Sequence, residues 1–112
     1  MNPTVKNVEI KIGDKVHKLM YNFEAIAQAE ELLNRAIITG ISGKDIQAPQ
    51  INLVRGLFYA MLKGADSLLT YEEAKGLVNR HNIAEVWIKT LEAMMEGSPE
   101  AESGNVQDQS KA

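Results

Sequence analysis

Val8, Ile10 and Ile12 alternate with Glu9 and Lys11, and the run stops at Gly13-Asp14 before KVHKLMY takes up an alternating pattern again. A period of two puts successive side chains on opposite faces, which is the signature of a half-buried strand. A two-residue Gly-Asp break between two such runs suits a tight hairpin turn. The sequence therefore predicts a β-hairpin over about residues 5–12 and 15–21. The register of the second strand is open, because Val16 competes with either Lys18 or Leu19 for the inward face. His17 is expected as an exposed strand residue. A lone hairpin is marginal in water, so this one must lie on helices or pair with another chain.

From Asn22 the period changes to that of a helix. Asn22 is a fitting N-cap and Glu24 an acid in the first turn, where the helix dipole favours it. The helix is expected over about 23–36, with Phe23, Ile26, Ala27, Glu30 and Leu33 on one face. Residues 37–49 hold two glycines and a proline and read as a long connection. Its Ile37, Ile38, Ile41 and Ile46 are too apolar for a fully solvated loop, so it is expected to lie against the core. A second helix is expected over about 50–63, with Ile51, Val54, Phe58, Met61 and Leu62 as its stripe and Gly64 as its stop. Thr70-Tyr71-Glu72-Glu73 is a capping box that starts a third helix, expected to run to His81 with Asn82 as a left-handed cap. A last helix is expected over about 83–96, aligning Ile83, Val86, Trp87, Thr90, Leu91 and Met94. The fold class is α+β: an N-terminal hairpin followed by a small bundle of about four helices, all in a single domain over 1–96.

From Gly97 the sequence reads GSPEAESGNVQDQSKA, with Val106 its one aliphatic side chain larger than alanine. Such a segment buries too little apolar surface to offset the entropy of ordering, so residues 97–112 are expected to be a disordered tail. The chain has no cysteine, which excludes disulfides, thiol catalysis and thiolate metal sites. No apolar run follows a basic start, and the apolar runs are too short to span a bilayer, so a cytoplasmic protein without membrane association is expected. Formal net charge is −3 over 112 residues. Glu100, Glu102 and Asp108 outweigh Lys111 in the tail, which leaves the rest close to neutral. Binding of nucleic acid is driven by counterion release to a basic face, and no basic stripe is present.

No catalytic constellation emerges, and no cofactor is implied. His17 and His81 fall on different elements. His81, in a helix's last turn, reads as a capping or half-buried histidine. Glu30-Glu31 and Glu72-Glu73 are adjacent in helices and point about 100° apart, so neither pair builds one acid–base site. Glu30 falls on an apolar stripe, either as a functional acid or as an edge residue paired with a base. Gly40-Ile41-Ser42-Gly43-Lys44-Asp45 echoes a phosphate loop without its first half and without a preceding strand. Met94 and Met95 are adjacent and cannot both face one core.

Residues 8–31, VEIKIGDKVHKLMYNFEAIAQAEE, resemble the opening of small phage tail proteins that include the tail assembly chaperones and the gene transfer agent tail-region family. Ile12-Gly13-Asp14, Leu19, Phe23, Ala25-Ile26-Ala27 and Glu30 carry that likeness. LVRGLFYAMLKGADSLLTYEEAKGLV, residues 53–78, looks like the family's leucine-rich helix, short gap and capped helix, through Leu69-Thr70 and Glu72-Glu73. The resemblance implies a non-enzymatic tail assembly chaperone. It would coat the tape-measure protein, help recruit tail tube subunits, act in the host cytoplasm and be absent from the finished particle. Another phage tail-completion or structural adaptor is the nearest alternative. A helix-turn-helix DNA-binding regulator built on residues 71–81 and 84–96 is the alternative of another class, although Lys75, Arg80 and Lys89 are scattered.

A binding protein needs surface to spare. With Phe23, Ile26, Leu33, Ile51, Val54, Phe58, Leu62, Leu77, Val78, Trp87 and Leu91 assigned to the core, Leu53, Leu57, Ile88 and Met95 remain as partner-binding candidates. They are expected to make the chain a homo-oligomer.

Overall fold

The computed structural model describes residues 7–97. The expected disordered tail, apart from Gly97, and the start of the first strand lie outside these residues. A two-stranded antiparallel sheet, β1 (Val8–Ile12) and β2 (Lys15–Leu19), leads into five helices: α1 (Phe23–Leu33), α2 (Gly43–Gln47), α3 (Ile51–Gly64), α4 (Tyr71–Leu77) and α5 (Ile83–Glu96). The α+β class and the hairpin-then-helices order are as the sequence predicts. The fifth helix is the short α2, inside the expected connection.

The turn fixes the strand register. Gly13 has φ 67°, at the first central position of the turn, where a left-handed residue twists the chain as a hairpin requires. Val8 then pairs with Leu19, Ile10 with His17 and Ile12 with Lys15. Directly opposed residues share a face, so His17 and Leu19 lie with the buried isoleucines and Val16 points outward. His17 is therefore half-buried, which corrects the expectation of an exposed side chain.

The hairpin is tied to the helices at its end. Met20 N–H donates to Met61 O (3.0 Å). The Asn22 side chain caps α1 by accepting from Ala25 N (3.0 Å) and donates to Gly64 O at the end of α3 (2.9 Å). Gly64 is not the left-handed stop expected of it: it is the last residue of α3, and Met20 O, Asn22 Oδ1 and Ala25 occupy the space a Cβ would need. Gly97 closes α5 against the backbone of Tyr21 in the same way.

α1 is three residues shorter than expected, because Asn34 turns left-handed at φ 56°, ψ 46°. Ala25 and Ala29 form its buried line, with Ile26 and Leu33 beside them. Phe23, expected in the core, is 82% exposed. α3 is the centre of the molecule, packed against α1, α4, α5 and β2. Nine of its fourteen residues are buried, so it carries no free flank. Leu53 (4% exposed) and Leu57 (0%) are core residues, and their expected role as partner contacts is corrected for that reason. Ile51, at the helix start, lies beyond the packed region and is exposed.

α4 begins at the expected capping box: Thr70 Oγ1 accepts from Glu73 N (3.1 Å), and Glu73 Oε1 accepts from Thr70 N (2.9 Å). It ends at Leu77, before His81. Asn79 and Asn82 bend the chain there, with Asn79 Oδ1 accepting from the N–H of His81 and of Asn82, and Asn82 Nδ2 donating to Leu77 O. Asn82 is thus the residue preceding α5, and it is not left-handed.

A candidate docking groove between α3 and α5

The connection 34–50 is held down by polar contacts, and that places one wall of the groove. Glu30 Oε2 accepts from Ile37 N (3.1 Å), turning Ile37 into the core. This stripe acid is half-buried and serves the backbone, and among the described residues it forms no ion pair, so the expected pairing with a base is not found. Arg35 donates to Gly40 O (2.7 Å) and to Asp45 Oδ2 (3.0 Å). Asp45 also closes a capping box with Ser42 at the start of α2. The Ser42 backbone N–H foremost, then Arg35, hold the Asp45 carboxyl below its usual range. The chain's own carboxylate thus fills the place an anion would take in the phosphate-loop-like segment. Trp87, buried in α5, donates from Nε1 to Ile46 O (2.9 Å) and ties α2 to α5.

Two adjoining depressions lie along the starts of α3 and α5. The first, of about 350 Å³, is lined chiefly by Pro49, Val54, Ile83, Ala84, Trp87 and Ile88. The second, of about 290 Å³, is lined by Ile51, Arg55, Val78, Asn79, Arg80 and Ile83. Ile83 belongs to both, so they form one groove. Ile88 is 61% exposed on its rim, and Met95, two helical turns further along α5, is 72% exposed. These two candidates stand at the surface as expected. The structure does not bring them together with Leu53 and Leu57.

The rim is basic. Arg55 Nε is buried without an acceptor, and among the described residues neither Arg55 nor Arg80 forms an ion pair. α3 and α5 both begin at the groove without a side-chain cap, so their amide ends add positive potential. Glu85, an exposed acid in α5's first turn, lies outside the lining. Sequence reasoning missed Arg55 and took Arg80 only as a scattered base of the DNA-reading alternative, because neither belongs to a basic run. Ile51 standing exposed next to Pro49 marks the site, but a stripe count places that isoleucine in the core.

The other chemistry-bearing side chains stay apart from this groove. His17 lines a separate depression with Ile12, Lys15, Leu69, Glu73 and Leu77, and its Nε2 is buried without a partner. Burial, then the nearby Lys15, lowers its pKa. His81 is exposed in the Asn79–Asn82 turn. Of the basic residues on the helices proposed for DNA reading, Lys75 pairs with Glu72 (3.0 Å) and lies over the Tyr71 ring, and Lys89 pairs with Glu92 (3.5 Å). Among the described residues no group of three His, Asp or Glu side chains is placed to hold a metal ion, and no helix is long and apolar enough to cross a membrane. Comparison of the chain with protein-family models, curated proteins and solved structures gives no match.

Proposed function

We propose that this chain is a non-enzymatic phage or prophage tail assembly chaperone, which binds the tape-measure protein during tail construction, helps recruit tail tube subunits and associates with copies of itself. The observation that carries the reading is the apolar groove between α3 and α5 with its cationic rim. An open, mostly apolar trough flanked by fixed charge suits the apolar stripe of a helix, a common mode of peptide recognition. The resemblance at residues 8–31 and 53–78 supplies the kind of helix, a long tape-measure chain. The DNA-reading alternative has less support, because Lys75 and Lys89 are engaged along their own helices and Arg80 alone of the three is unpaired.

The test is co-expression with the tape-measure protein encoded in the same tail gene cluster. The expected result is a soluble complex of the two chains that survives gel filtration, with the tape-measure protein insoluble when expressed alone. A tape-measure protein that is equally insoluble with and without this chain overturns the reading.

A further inference from the structure

We propose that the depression between the tip of the hairpin and α4 is a binding site for a small monocarboxylate with a short apolar body. This site is separate from the α3–α5 groove and stands whether or not a helix binds there. The strand register builds one wall. Ile12 pairs with Lys15 and Ile10 with His17, so Lys15 and His17 share the inward face of the hairpin with the isoleucines. Away from the tip that face packs on α3, and Leu19 is fully buried. At the tip Ile12 is only partly buried and Lys15 is exposed. α4 builds the other wall with Glu73, Gly76 and Leu77, which are three and four residues apart and so lie along one helical face. Leu69 also lines the space, which is about 510 Å³ and within the usual range of small-molecule sites.

Gly76 is the first sign that the space is used. A glycine within a helix is less stable there than alanine. The usual reasons for keeping one are absent: its φ is not positive, and nothing lies within 4 Å of the place a Cβ would take. What the missing side chain does is leave the depression open. The polar groups then select the ligand. Among the described residues Lys15 forms no ion pair, and His17 Nε2 is closed off from water without a partner. A carboxylate settling between them accepts from the Lys15 ammonium and from an Nε2–H of His17, which gives the imidazole the partner the fold does not supply. Glu73, on the opposite wall, has Oε1 held by Thr70 N (2.9 Å). Its fixed negative charge turns the ligand's carboxylate toward the hairpin and disfavours a dianion such as phosphate, which one lysine cannot neutralise. Ile12, Leu69 and Leu77 line the remainder and take an alkyl body out of water.

The experiment titrates sodium hexanoate into the isotope-labelled full chain and follows the amide chemical shifts, with hexylamine as the control of equal chain length and opposite charge. Hexanoate is expected to shift the amides of Ile12, Lys15, His17, Gly76 and Leu77 saturably, and hexylamine to leave them in place. Lys15→Gln, at an exposed position, is expected to weaken hexanoate binding about fivefold. Gly76→Leu places a side chain in the open space and is expected to abolish binding, with a melting temperature no lower than that of the wild type. A titration that does not saturate overturns the proposal, as do shifts centred on Ile51, Ile83 and Ile88 in the other groove. Equal binding of hexanoate and hexylamine, wild-type affinity in Lys15→Gln, or binding that survives in a folded Gly76→Leu also overturns it. If Gly76→Leu does not fold, Lys15→Gln and the hexylamine control decide.

Discussion

Gly64 separates two physical accounts of the same glycine. If it were needed for a left-handed turn, alanine would be strained by its backbone. It is instead helical, and its hydrogen faces the Met20 carbonyl, Asn22 Oδ1 and Ala25. Gly64→Ala gains up to about 1 kcal/mol of helix propensity, less at a helix end. Against this, the new methyl has backbone on one side and a capping side chain on another, neither of which is a flexible tip. Forcing a methyl into such a site costs about 1–3 kcal/mol. Moving residues 20–22 away also strains the bonds from Met20 N to Met61 O and from Asn22 Nδ2 to Gly64 O, each about 1 kcal/mol net. The balance is a loss of about 3 kcal/mol. For a domain this size that lowers Tm by roughly 12–24 °C. Gly76→Ala is the control: it lies within α4, exposed, with open space around a Cβ, and should stabilise by about 0.5–1 kcal/mol. Calorimetric melting of both variants is the assay. A Gly64→Ala protein that melts at or above the wild-type temperature refutes the close approach of hairpin end and α3.

Two further outcomes follow from named contacts. Thr70→Ala should cost about 1 kcal/mol in urea unfolding, and the double variant with Glu73→Ala should cost less than the two singles added, since each residue caps the other's backbone; strict additivity would mean the box is not formed. His17 has a folded pKa below its unfolded value of 6.5, so the unfolded chain holds the proton more tightly, and the stability due to this residue is complete above pH 6.5 and lost as pH falls below it. His17→Gln should flatten that decline between pH 7.5 and 5; an unchanged slope would assign it to other groups.

What was legible in the sequence was what is decided locally. The hairpin follows from alternation about Gly13-Asp14, and the caps at Asn22 and Thr70 follow from side chains that reach only a few residues. What was not legible depends on how many neighbours a helix has. A stripe count assumes one buried face, which serves α5 but misplaces that face on α1, where Ala25 and Ala29 are buried and Phe23 and Ala27 of the expected stripe are exposed, and fails for α3, where partners on several sides bury Leu53 and Leu57 along with Val54 and Phe58. It also assumes that the stripe is packed to its ends. Ile51 is the first residue of its helix, beyond the packed region, and stays in water, whereas Phe23 sits with Ala27 on the face of α1 opposite Ala25 and Ala29. The end of α4 was misplaced for a different reason: the Asn79 and Asn82 side chains offer the backbone a turn in place of two more helical residues.

The four misassigned residues Leu53, Leu57, Phe23 and Ile51 bear on function. Burying Leu53 and Leu57 takes from the surface the apolar contacts expected of it, and exposing Phe23 and Ile51 returns as much elsewhere. The exposed pair is not scattered. Ile51 borders the groove with the unpaired arginines, and Phe23 begins the helix that carries Glu24 and Glu31, neither of them in an ion pair among the described residues. Single exposed apolar residues carry little meaning, but apolar surface that coincides with uncompensated charge of fixed sign is harder to assign to chance. Water tolerates either feature alone. Where both occur at one place, contact with a surface of opposite charge improves both terms at once, by removing apolar area from water and by giving the charges a partner.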